Sequence, residues 1–204
     1  MARYSPEHKD ATRRRMIETA GRRFKSDGFD GSGISTLVAD AGLTNGAFYG
    51  HFASKDDLIA SVVAQQLADQ AARLESLPTG LASVEAFVRE YLSPAHREDV
   101  AGGCPSAALL DEIGRCDEAT RQAYTAGARR LIDAMARHLL AGDDQDAHQR
   151  AIGLFALLAG SLQAARAVTD RHLSDRVLTA AYATAMAIAT DRPHSTPPAD
   201  EESR

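Results

Sequence analysis

An all-α fold follows from three features of this 204-residue chain. Alanine, the best helix former, supplies 39 residues. No proline occurs between Pro105 and Pro193, so a long span carries no helix breaker. No segment alternates β-branched and polar residues for long enough to make a strand. Prolines and glycines then punctuate a string of helices.

The first helix is expected over about Lys9 to Asp27, with Ile17, Ala20 and Phe24 on one face and Gly28 as its left-handed stop. Two short helices follow, Ile34 to Ala41 and Asn45 to His51. Ser54-Lys55-Asp56-Asp57 reads as a capped start for a fourth, which runs to about Ser76 before Pro78 and Gly80 break it. Leu81 to Ser93 is amphipathic through Val84, Phe87, Val88 and Tyr91, and Pro94 interrupts it. Ala101 to Pro105 forms a loop, with Pro105 suited to the first turn of a helix. Longer helices are expected over Asp117 to Leu140, Asp146 to Val168 and Asp175 to Thr190, the last capped by Ser174. Residues 191–204 are polar and Pro-rich and read as a disordered tail. The division is therefore 1–58, 59–190 and a tail over 191–204.

Composition excludes several classes. Hydrophobic residues at 44% rule out a wholly disordered chain, and two cysteines rule out a disulfide scaffold. Met1 to Asp10 is polar with no apolar run after it, so no secretion signal is read. The longest nearly apolar run, Ala151 to Leu162, is well short of the roughly 18 residues of a membrane helix. A cytoplasmic protein without a membrane partner is expected. The net charge of −5 argues against nucleic acid at first sight. Its distribution argues otherwise: residues 1–58 carry +1, the rest −6, and residues 1–25 alone +5. A solvated helix face would also account for that basic cluster.

Residues 34–58, ISTLVADAGLTNGAFYGHFASKDDL, hold the informative pattern. Two short helices around a glycine turn are what a helix-turn-helix needs. Val38, Ala39 and Ala41 are small enough for close crossing, Gly42 permits the turn, and Leu43 plugs the gap. Thr44 caps the second helix; Phe48 and Phe52 face inward, while Asn45 and Tyr49 face a major groove. A plain αα-corner has the same periodicity.

GLTNGAFYGHFASKDDL closely resembles the signature of the TetR/AcrR family of transcriptional regulators, and RRMIETAGRRFKSDGFDGSGI resembles that family's first helix and its connection. The resemblance covers about residues 9–60. It implies that Thr44 and Asn45 open a recognition helix and that Gly46 lets backbone approach DNA. It further implies that Tyr49 and His51 meet phosphates, and that Lys55 adds an ammonium to a helix N-terminus. Gly33 departs from the Ser or Thr the family often has, with Ser32 or Ser35 as substitutes; Ser35 is kept as a DNA contact. Gly50 departs too, leaving no side chain there. Arg3-Tyr4 and Arg13 to Arg15 could serve as a basic arm.

The same resemblance makes the acidic remainder an effector-binding and dimerisation region. Leu154, Leu157, Leu158, Ser161, Leu162 and Ala165, with Gly153 and Gly160, form one apolar stripe; Val177, Ala181, Thr184, Ala185 and Ile188 form another. Pairing the last two long helices about a two-fold axis would build a homodimer reading a palindromic operator, its recognition helices about 34 Å apart. Part of each stripe is expected to be intrachain core. Phe87, Tyr91, Tyr124, Phe155, Gln163 and Arg166 mix aromatic and polar groups on apolar faces, as a small-molecule site does, though plain packing would also account for each.

Cys104 follows two glycines and precedes Pro105, at an expected helix N-terminus that favours thiolate. GGCPSAALLDEIGRCDEATRQAYTAGARRLIDAM resembles the segment of TetR-family repressors that sense electrophiles or hypochlorite through such a cysteine. A small buried cysteine beneath a Gly-Pro turn is the plainer reading. A Cys104–Cys116 disulfide is not expected, nor is a metal or other cofactor. The whole points to a non-enzymatic, ligand-responsive regulator, most simply a repressor; a helical protein-interaction module is the alternative.

Overall fold

The computed structural model describes residues 6–139 and 144–190, and among them only helices form regular structure. Ten helices run in order: α1 Pro6–Asp27, α2 Ile34–Asp40, α3 Asn45–Tyr49, α4 Lys55–Glu75, α5 Leu81–Tyr91, α6 Pro94–Glu98, α7 Pro105–Arg115, α8 Glu118–Leu139, α9 Asp144–Ala167 and α10 Arg171–Thr190. Residues 1–5 and 191–204, and with them Arg3, Tyr4 and the expected tail, lie outside the described residues.

Two apolar cores are strung on α4. The first joins Met16, Ile17 and Phe24 of α1, Leu37 and Val38 of α2, Phe48, Phe52, and Leu58 to Leu67 of α4. It also takes Leu109 and Ile113 from α7, so a body helix closes the head. The second core gathers Ala71 and Leu74 of α4 with α5, α8, α9 and α10. Because α4 contributes to both, the head's packing continues past residue 58 to Leu67.

The local chemistry explains the small helices. Ala41 ends α2, Gly42 takes φ 65°, and the N–H groups of Gly42 and Leu43 return to Ala39 and Val38 carbonyls at 2.9 and 2.8 Å. That is a Schellman ending, with Leu43 packed against the head core as its apolar clasp. Ala39 is exposed, so its size does not govern the crossing. Thr44 caps α3 by accepting the Ala47 N–H, and Ser54 caps α4 by accepting that of Asp57. Asp57 returns the favour to the Ala53 N–H at 2.9 Å, completing a reciprocal cap.

Pro94 interrupts the amphipathic run as expected, α5 ending at Tyr91, and itself starts α6, because a proline at N1 gives up no intrahelical bond. One expectation needs correction. Ser174 does not cap the last helix: Asp170 does, its carboxylate accepting the His172 and Leu173 N–H groups. Ser174 is a buried residue inside α10, donating to the Ala165 carbonyl and accepting from the buried Arg97 at 2.6 Å each. Part of each apolar stripe is core of this single chain, as expected: Leu154, Leu158, Leu162 and Ala165 of α9, and Ala181 and Ala185 of α10. The outward face keeps Gly153, Gly160 and Thr184 of those stripes and adds Ile152, Ala156, Ala164, Ala180, Ala183 and Ala187, while Leu157 is half-buried and packs against the core.

Candidate nucleic-acid interface and ligand cavity

The head presents one polar face. Phe48 and Phe52, four residues apart, are buried with ring centroids 5.7 Å apart, which turns the intervening positions outward. Thr44, Asn45, Gly46 and Tyr49 are exposed, Tyr49 by 63%. A large aromatic left that open at the end of a five-residue helix is the surface's most conspicuous feature. A Cβ on Gly46 would meet nothing closer than the Thr44 Oγ1 at 3.9 Å, so the backbone there is bare. Lys55, half-buried, is the first residue of α4, in the turn whose backbone N–H groups have no intrahelical acceptor.

Ser35 is exposed in the first turn of α2. Neither Ser32 nor Ser35 caps that helix; Gly33 occupies the cap without a side-chain bond, and Ser32 Oγ is buried with no partner among the described residues. His51 is only half open. Its Nδ1 is buried without a hydrogen bond, so contact with a phosphate falls to Nε2. Burial first, and Lys9 and Arg13 after it, lower the His51 pKa. Arg13 stacks on Phe52, 5.0 Å from the ring centroid, and donates to Ser61 Oγ at 2.9 Å, so it braces the head. Arg23 is held between Asp27 and Asp40. Lys9, Arg14, Arg15 and Arg22 are exposed members of the basic run.

The second feature is a cavity of about 330 Å³ between α4, α5, α6 and the loop before α7. Phe87, Tyr91 and Cys104 line it, together with Gln70, Glu90 and His96. Tyr124, Gln163 and Arg166 do not. They converge behind it on the start of α7: the Tyr124 hydroxyl donates to Ser106 Oγ at 3.2 Å and the Gln163 amide to the Ser106 carbonyl at 2.8 Å. Arg166 donates to the carbonyls of His96, Arg97 and Ala107 at 2.7, 3.1 and 3.0 Å. These three side chains fasten the helix that Cys104 begins. Burial lowers the Arg166 pKa and raises those of Tyr91 and Tyr124.

Cys104 is the cap residue of α7, 1% exposed, with its thiol donating to Gln70 Oε1 at 3.3 Å. Cys116 caps the other end of the same helix, and both cysteines are free. A rigid helix of 11 residues between them prevents a disulfide. The Cys104 N–H donates to His96 Nε2 at 3.1 Å, while His96 Nδ1 meets the Tyr91 carbonyl at 2.7 Å. A carbonyl only accepts, so Nδ1 carries the proton, Nε2 the lone pair, and the ring is neutral. Burial lowers the His96 pKa, in keeping with that form.

One residue of this region stood outside the sequence expectations. Lys25 belongs to α1, yet it is 7% exposed and donates to the Gly103 carbonyl at 2.7 Å. Its helical position, eight residues after Ile17 and next to Phe24, put it on the apolar face all along. Among the described residues, no cluster of acidic, histidine and cysteine side chains could hold a metal, and no helix is long and apolar enough to cross a membrane.

Comparison with known proteins agrees with this layout. The profile described as bacterial regulatory proteins, tetR family, matches residues 16–62, and that of a tetracyclin repressor-like C-terminal domain matches residues 80–181. The HTH-type transcriptional repressor NemR of Escherichia coli (strain K12) is 28% identical over 166 residues, 75% of this chain and 83% of that protein. The HTH-type transcriptional regulator AcrR of Shigella flexneri is 32% identical over 62 residues, 30% of this chain and 29% of that protein. Among solved structures, reduced E. coli NemR superposes with a TM-score of 0.73 at 24% identity, covering 86% of this chain and 95% of that one. A TetR-family regulator from Agrobacterium tumefaciens gives 0.69 at 20% identity, covering 86% and 98%.

Proposed function

The chain belongs to the TetR family of bacterial transcriptional regulators, and from that premise we propose that it is a repressor released from DNA through the Cys104 cavity. Members of the family bind DNA operators, typically as dimers, and are not enzymes. In this reading Tyr49, Asn45 and Thr44 address the major groove, while Ser35, Gly46, His51 and Lys55 address the backbone. The uncharged outer faces of α9 and α10 pair with a second copy, giving two recognition helices for a palindromic site. A small molecule in the cavity, or modification of Cys104, favours an arrangement in which those helices no longer match the operator.

The observation that carries the release mechanism is the position of Cys104. It walls the cavity on one side and adjoins, through Gly103, a residue of the head's first helix on the other. The net charge of −6 on the body disfavours whole-surface attraction to DNA and leaves contact to the head. A gel shift with DNA upstream of the chain's own gene tests the regulator: sequence-selective, salt-dependent binding is expected, and no binding at low salt ends the reading. Treating the bound complex with iodoacetamide then tests release. The Cys104 sulfur forms a bond to the reagent's methylene carbon, the carbon–iodine bond breaks, iodide leaves, and the thiol proton passes to water. Cys104→Ser should resist that release; equal release from this variant removes Cys104 from the mechanism.

A further inference from the structure

We infer that Lys25 is the residue through which a change at Cys104 reaches the DNA-binding head, an inference that rests on the cysteine arm of the proposed function. Lys25 lies on α1 between Phe24 and the turn at Gly28, beside the apolar face with which that helix builds the head core. Its ammonium crosses to the body and ends on the carbonyl of Gly103, the residue before Cys104. It takes part in no ion pair among the described residues.

A buried ammonium resting on one neutral carbonyl is a costly arrangement. Burial accordingly brings the Lys25 pKa down to about 8; Cys104 and Asp99 oppose that change, while Arg22 and Arg166 add to it. Those four groups are the charged and titratable surroundings of the ammonium. A lysine has no packing reason to be there that methionine would not serve as well. Its fit is to a carbonyl whose position depends on Cys104.

The segment that holds that carbonyl is closely packed. A Cβ built on Gly103 would stand 2.7 Å from His96 Nε2 and 3.0 Å from Arg166 Nη2. One on Gly102 would stand 2.1 Å from Asp99 Oδ2. The loop is thus in close contact on both sides, and it is pinned by the Cys104 N–H to His96 and the Gly102 N–H to Asp99. An adduct on the buried sulfur takes the thiol from Gln70 and turns it into the cavity that Cys104 lines; the Gly103–Cys104 segment turns with it, the carbonyl moves, and Lys25 loses its acceptor. The end of α1 follows, because an ammonium left without a partner in that site draws water or leaves.

The test uses the full chain in a Cys116→Ser background, so that Cys104 is the one thiol. Intact mass follows carbamidomethylation by iodoacetamide, fluorescence anisotropy follows operator binding, and thermal melting follows folding. Modified protein with Lys25 should bind the operator about tenfold more weakly, within the usual range of site-to-site coupling. Modified Lys25→Met should react to the same extent yet keep its unmodified affinity. Equal weakening in both overturns the role of Lys25. Full modification of the Lys25 protein without any weakening overturns the cysteine reading itself, and this inference with it. Should Lys25→Met fail to fold, amide hydrogen exchange of the Lys25 protein decides: residues 22–29 should exchange faster after modification, and unchanged exchange there overturns the proposal.

Discussion

The carboxylate of Glu112 on α7 accepts the main-chain N–H of Phe29 at 2.7 Å, across 83 residues of sequence. The turn at Gly28, with φ 77°, aims that N–H out of the head, and the Phe29 ring folds back on Phe24 with centroids 5.3 Å apart. Together with Lys25 and Gly103, this bond attaches the end of α1 to both ends of α7. The head is therefore fixed to the helix that Cys104 begins.

Removing that acceptor should be felt in stability. Glu112→Leu leaves a charge-assisted hydrogen bond unmade, with the Phe29 N–H lacking a partner, and should cost about 2 kcal/mol. Glu112→Gln keeps an acceptor and should cost less. Urea unfolding of the three proteins checks this, and a Glu112→Leu curve lying on the parent's would sink it.

Tyr49→Ala and Lys55→Met should weaken operator binding while leaving the melting temperature nearly unchanged. Tyr49 is 63% exposed and Lys55 opens α4, so neither supports the core. Loss of one phosphate contact at Lys55 should also lower the salt slope of binding by about one. Titrations at several salt concentrations separate the outcomes. An unaltered slope would place Lys55 away from the backbone.

Lys25 predicts an alkaline signature. Its folded pKa of about 8 lies below the unfolded value of 10.5, so between those values the unfolded chain holds a proton that the folded chain has released. Stability from this residue therefore rises with pH across that window and is fully present above the unfolded value. At roughly 1.4 kcal/mol per pH unit the full gain is about 3.5 kcal/mol. Lys25→Met lacks it, and comparison with the parent cancels the tyrosines and cysteines that titrate nearby. Denaturation at pH 7.5 and 10 should show the parent gaining on the variant; a constant difference would contradict the buried ammonium.

The helix-turn-helix was readable because its determinants are local. The Thr44 and Ser54 caps, the Gly42 ending and the Phe48–Phe52 pair each act within five residues. The last helix start was not, because the segment Thr169-Asp170-Arg171-His172-Leu173-Ser174 offers three capping side chains, and Ser174 is taken by Arg97, 77 residues away. Helical periodicity likewise put Tyr124, Gln163 and Arg166 on inward faces without saying what they meet. They meet the first turn of α7 rather than a cavity, since the carbonyls there need donors. Lys25 was hidden differently: within a run of basic residues its charge drew attention away from its register.

Ser174→Ala follows from the correction at the last helix. Its hydroxyl joins Arg97 to the Ala165 carbonyl in a buried site, and Arg97 Nη2 already lacks a partner there. Losing the hydroxyl should cost about 1 to 3 kcal/mol, the usual range for a buried polar group left unsatisfied. Chemical denaturation measures it, and a neutral result would mean that Asp175 and Glu98 alone hold the guanidinium.

The dimer surface gives the last expectation. Between Ile152 and Ala165, α9 carries no charged residue, and α10 carries none from Val177 to Thr190. Ile152 and Leu173 remain more than 40% exposed, and Cβ atoms built on Gly153 and Gly160 would meet open space. Since the inward halves of both helices are already core, this bare outer face is what a second copy would cover. Ala156→Glu puts a charge at its middle on an exposed helical position, so the single chain should lose no more than about 0.5 kcal/mol. Buried at a two-fold interface, the same charge would meet its own copy across the axis without a partner. Light scattering should then report a folded monomer, and operator affinity should fall as the two recognition helices lose their linkage. A folded dimer with undiminished affinity would move the interface off α9.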